Sequence, residues 1–83
     1  MEPLIAEITK DIRAYTGATH VTAVQAVADP HVEGCYAVRC RVDWASSPES
    51  VVLEFLWHQL PTASERVAAL EEVEFAHWPP RTR

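Results

Sequence analysis

Two periodicities divide the chain. Over "CYAVRCRVDW", residues 35–44, Tyr36, Val38, Cys40, Val42 and Trp44 fall on one side, and Cys35, Ala37, Arg39, Arg41 and Asp43 on the other. A period of two marks a half-buried strand, because successive side chains point to opposite faces. "VVLEFLWHQL", residues 51–60, repeats the pattern. Val51, Leu53, Phe55 and Trp57 share one face; Val52, Glu54, Leu56, His58 and Leu60 share the other. "THVTAVQAVAD", residues 19–29, reads as a third strand with a fault in it. Val21, Ala23 and Val27 share a face with Gln25 while Val24 takes the opposite one, and a bulge near Ala23–Gln25 reconciles the pattern. "DPHVEG" and "ASSPES" supply the turns between strands.

The other period is helical. In "EPLIAEITKDIRAYTG", Leu4, Ile8, Ile12 and Tyr15 form one stripe that Ile5 widens. Pro3 suits the first turn, Glu2 and Glu7 complement the N-terminal dipole, and Gly17 is a natural stop because glycine accepts positive φ at little cost. "PTASERVAALEE", residues 61–72, opens with Thr62 and Glu65 in capping-box spacing, and Ala63, Val67 and Leu70 make its stripe. The glutamates near its end oppose the macrodipole, so its C-terminus is not fixed by the pattern. "VEFAHW", residues 73–78, alternates again and leaves room for a short final strand before Pro79 and Pro80.

These elements predict an α+β two-layer sandwich in the order α-β-β-β-α. The strands form an antiparallel meander, because their connections are short, and both helices cover one face. The expected core is Ile8, Ile12, Val38, Cys40, Val42, Leu53, Phe55, Trp57, Val67 and Leu70. Residues 1–78 are expected to form the single domain and residues 79–83 a tail. The element order is similar to that of double-stranded RNA-binding domains. That family reads RNA from a lysine-rich start to its second helix. The matching stretch here, "PTASERVAA", has no lysine and one arginine, so the resemblance does not extend to RNA binding.

Composition narrows the function. With a net charge of −5 in 83 residues, the chain lacks the clustered bases of a general phosphate-backbone binder. Glu65, Glu71, Glu72 and Glu74 meet only Arg66 locally, so the second-helix region is acidic. The acidic N-terminus lacks the charge and apolar run of a signal peptide, and a cytoplasmic location is expected. With two glycines, a glycine-rich nucleotide loop is excluded.

Cys35 and Cys40 are five residues apart, so in a strand they face opposite ways with Cα atoms about 16 Å apart. A disulfide needs about 7 Å or less. Cys40 is expected in the core and Cys35 as an exposed thiol. His20, His31, His58 and His77 show no metal-binding spacing, and no catalytic triad or cofactor motif appears. No metal or cofactor is expected.

The outer sheet face carries the sharper signal. Val52, Leu56 and Leu60, with Val24 and Ala37, leave apolar area bordered by Arg39, Arg41, Glu54 and His58. An apolar centre with a charged rim suits an interface, unless Phe75 and Trp78 fold back over it. The expected function is a small non-enzymatic protein-binding module, a homodimer or an accessory or inhibitor subunit. It would bind through Arg39, Arg41, Val52, Glu54, Leu56, His58 and Leu60, with Glu71 and Glu72 in the acidic region. Phage and mobile-element inhibitors such as anti-CRISPR proteins share this size and charge. An alternative is a small enzyme or enzyme subunit using His58, Glu54 or Cys35 in a shared cleft. Another is nucleic-acid contact through Arg39 and Arg41, which the acidic balance disfavours. "IRAYTGATHVTAVQAV" followed by "GCYAVRCRVDW" also resembles gas vesicle accessory proteins, in which a helix ending in "TG" leads to paired strands; this is a further alternative.

Overall fold

The structure is a computed structural model that describes residues 2–80. Helix α1 spans Glu2–Thr16, and strands β1, β2 and β3 span His20–Ala28, Cys35–Asp43 and Val51–His58. Helix α2 covers Ala63–Ala69, and a short strand β4 covers Glu71–Val73. The four strands pair in the order β1-β2-β3-β4, every pair antiparallel. The α+β meander is therefore the one the sequence predicts, with the final strand present but placed earlier than 73–78.

Local chemistry accounts for the boundaries. Gly17 takes φ 70°, and its amide donates to the Arg13 carbonyl at 2.9 Å, closing α1. Thr62 and Glu65 cap α2 reciprocally. The Glu65 amide donates to Thr62 Oγ1 at 3.2 Å, and the Thr62 amide donates to Glu65 Oε1 at 3.1 Å. α2 stops at Ala69, so Glu71, Glu72 and Glu74 lie beyond it in extended or irregular chain. This removes the conflict with the macrodipole, and it corrects the assignment of Glu71 and Glu72 to the second helix.

The bulge lies where the alternation fails. Thr22 pairs with Arg41 and Gln25 with Arg39, so Ala23 and Val24 together oppose Cys40. Ala23 takes the left-handed value φ 52°. The extra residue reverses the facing of the rest of the strand. Val21 before it, and Val24 and Ala26 after it, pack against the core, while Gln25 and Val27 share the outer face with their β2 partners. Val24 is thus a correction: it faces the helices and not the outer side.

The core lies between the sheet's inner face and the helices. Ile8, Ile12, Val38, Val42, Phe55 and Trp57 are fully buried, with Cys40 and Leu70 nearly so, while Leu53 and Val67 are half-buried. Tyr15 meets Phe55 edge-on at 5.9 Å between ring centroids, and Trp44 Nε1 donates to the Thr16 carbonyl at 2.9 Å, tying β2's end to α1.

Two charged residues also enter this layer. Asp11 sits in the α1 stripe between Ile8 and Ile12 and is 1% exposed; Arg66 of α2 is 7% exposed. Asp11 Oδ2 accepts from Trp57 Nε1 and from Arg66 Nε, each at 2.8 Å. Arg66 Nη1 donates to the Leu60 carbonyl at 3.0 Å, and Nη2 lies 3.4 Å from Glu7 Oε2. The hydrogen bond it donates to Asp11 holds the Arg66 guanidinium above its ordinary pKa. One carboxylate thus joins both helices to β3. Among the described residues, no buried side-chain nitrogen or oxygen is left without a partner.

Candidate functional site

The outer face is built from side chains that alternation turns away from the helices. Arg39 and Arg41 come from the middle of β2. Register sets Gln25 and Thr22 across from them on β1, and Glu54 and Val52 across from them on β3. Val52 remains 45% exposed.

The face is not open throughout. After β4 the chain turns back, and the Phe75 amide donates to Glu54 Oε1 at 2.8 Å. Phe75 then stacks obliquely on Trp78, with centroids 5.8 Å apart, and the Trp78–Pro79 peptide is cis. Phe75 and Pro80 enclose a cavity of about 120 Å³ with Val27, Pro30, Ala37 and Leu56. This strap, residues 74–80, is the fold-back that the aromatic residues at 75 and 78 allow. Pro79 and Pro80, expected in a tail, belong to it; the remainder of that tail, residues 81–83, lies outside the described residues.

On the other side of the strap a groove of about 380 Å³ remains. Its walls are Gln25, Arg39, Arg41, Val52 and Trp78, with the bulge at Ala23 at one end. That volume lies within the range of small-ligand and peptide-anchor sites. Its electrostatics are one-sided. Among the described residues neither Arg39 nor Arg41 has a carboxylate within 4.0 Å. Glu54, directly across from Arg39, gives one oxygen to the strap.

The predicted site residues therefore separate. Arg39, Arg41 and Val52 line the groove, and Glu54 anchors the strap beside it. Leu56 lies under the strap. His58 is at the far end of β3, and Leu60 lies past it with its carbonyl bound to Arg66. Glu71 and Glu72 are exposed on β4 at the sheet edge. The sequence pattern does not mark Gln25 or Trp78 as site residues. Trp78 has a signal in the Phe75/Trp78 pair, whereas Gln25 has none, since the bulge decides its register with Arg39.

Cys35 corrects a further expectation: it is 5% exposed, not an exposed thiol. Burial raises its pKa first, and the nearby charges of Asp29 and Glu71 raise it further. A raised pKa leaves the thiol protonated and a poor nucleophile near neutrality. Cys35 is the register partner of His58. Glu54 lies four residues away along β3, about 13 Å on an extended strand. Neither cavity is lined by Cys35, Glu54 or His58, so these three do not share one of them. Burial also pushes the Cys40 thiol up to about 11, and both cysteines are free.

Among the described residues no group of three His, Cys, Asp or Glu side chains is placed to hold a metal ion, and no helix is long and apolar enough to cross a membrane. No protein-family model matches the chain, and neither a curated protein nor a solved structure is found to be similar to it.

Proposed function

We propose that the chain is a non-enzymatic protein-binding module, an accessory or inhibitor subunit, which takes an acidic, extended segment of a protein against its outer sheet face. One observation carries this reading. Arg39 and Arg41 line a groove of about 380 Å³ without a carboxylate partner among the described residues, in a chain of net charge −5. A cation left unpaired in a concave site sets the sign of its partner. Exposed Val52 and the face of Trp78 add the apolar contact that a purely ionic surface lacks. The two arginines stand two residues apart on one strand, about 6.7 Å. Acidic side chains at alternate positions of an extended segment have the same spacing.

The test is a fluorescence titration of the whole chain with peptides carrying Asp or Glu at alternate positions. Trp78→Phe separates the groove's signal from Trp44 and Trp57. Saturable binding that weakens with salt and is lost in R39Q/R41Q is expected. Binding of single-stranded oligonucleotides in preference to acidic peptides, or binding of neither, would overturn the reading.

A further inference from the structure

Glu54 has two cross-strand neighbours on the outer face. Register sets it directly opposite Arg39 of β2 on one side and Val73 of β4 on the other. Residues opposite one another in an antiparallel pair share a face, with Cβ atoms about 4.5–5.5 Å apart, and opposite charges so placed attract. Glu54 and Arg39 are therefore positioned to pair. They do not, since Arg39 has no carboxylate within 4.0 Å among the described residues. The Glu54 carboxylate is engaged elsewhere: its Oε1 accepts from the Phe75 amide at 2.8 Å.

The strap that supplies this amide is loosely seated. Residues 74–80 form neither helix nor strand, and Phe75 and Trp78 are only half-buried. The cavity of about 120 Å³ lies between Phe75 and Pro80 on the strap and Val27, Ala37 and Leu56 on the sheet. Segments with few buried apolar contacts open at low cost in free energy.

From this arrangement we infer that Glu54 is the groove's built-in competitor for Arg39, and that the docked strap keeps the groove cationic by holding that carboxylate away. The inference rests on the reading of the groove as an acidic-segment site and names what regulates it. When the strap lifts, Glu54 loses its amide partner and pairs with Arg39. An incoming acidic segment then has to displace Glu54 first. By linkage, a segment bound at Arg39 favours the docked strap.

The experiment is a two-by-two set on the full chain: wild type, F75P, E54Q and F75P/E54Q. Phe75→Pro removes the N–H that holds Glu54, and Glu54→Gln removes the competing charge. Calorimetry reads the affinity for peptides with Asp or Glu at alternate positions. F75P is expected to bind them more weakly than wild type. E54Q is expected to strengthen binding about threefold more in the F75P background than in the wild-type one. Equal gains in the two backgrounds overturn the inference. So does tighter binding by F75P, because the strap would then be a cover and not a guard. A second readout needs no peptide: NMR exchange of the Arg39 Nε–H with water should slow in F75P and recover in F75P/E54Q. Unchanged exchange overturns the inference. Circular dichroism verifies folding, and Phe75→Ala, which removes the ring over the cavity, replaces F75P if the proline variant unfolds. If wild type binds no acidic peptide, the proposed function fails and Arg39 exchange decides the inference. If wild type binds and the two gains are equal, the inference fails alone.

Discussion

Arg66 and the pair Arg39 and Arg41 are the same side chain in opposite circumstances. Arg66 is buried, and its three guanidinium nitrogens meet Asp11, the Leu60 carbonyl and Glu7. Arg39 and Arg41 stand on the other side of the sheet with no carboxylate in reach among the described residues. A buried guanidinium has to be satisfied, because an unpaired charge away from water is costly. Arg41 is exposed and Arg39 half-buried, and a guanidinium that solvent reaches is satisfied by water and stays available. Neighbouring acids do not by themselves predict the outcome: Arg66 lies next to Glu65, and Arg39 opposite Glu54, but the partners that matter for Arg66 come from α1. The contrast assigns Arg66 to holding the fold and leaves Arg39 and Arg41 outside that network.

The largest expected effect is on the sealed side. Trp57 is fully buried and its indole N–H is one of two donors to Asp11 Oδ2, so Trp57→Ala should lower stability by about 3–5 kcal/mol in urea unfolding. A loss near zero would mean that the inner layer is not the structural half of the molecule.

A smaller effect comes from charging that layer. The folded state raises the Cys40 pKa from 9.0 to about 11, so between those values the folded chain holds a proton that the unfolded chain gives up. The thiol's contribution is whole below pH 9.0 and is lost as pH rises towards about 11. Cys40→Ala should flatten this alkaline decline in urea midpoints measured across the window. An unchanged decline would place the titrating group elsewhere.

The smallest effect belongs to the groove. Arg39→Ala and Arg41→Ala should each change stability by no more than about 0.5 kcal/mol, as surface substitutions do. A larger loss in the same urea assay would erase the distinction between the two kinds of arginine.

The alternating stretches made β2 and β3 legible, and Thr62 with Glu65 made the start of α2 legible, because these signals are local. What the pattern could not place depended on distant residues. Val24 faces the helices because the bulge inserts one residue, and sequence marks the bulge's neighbourhood without fixing its register. Cys35 is buried although it lies on the outer face of an alternating strand, a result of tertiary packing that alternation does not encode. Asp11 was visible in principle, since an acid between Ile8 and Ile12 sits in the apolar stripe, but its partners lie 46 and 55 residues away. For the groove, Arg39, Arg41 and Val52 were read from alternation. Trp78 enters through the strap, which the hydrogen bond from Phe75 to Glu54 ties to a residue 21 positions away.

The left-handed residue at Ala23 also bears on how the molecule behaves in a crowd. β1 is a flank of the sheet and runs for nine residues, long enough to template a strand from another molecule. The bulge breaks its row of amide and carbonyl groups midway and twists the flank. The opposite flank, β4, offers three residues, two of them glutamates. Edge-to-edge stacking is thus discouraged on both sides. Fibre growth by strand addition therefore has no ready template at either flank.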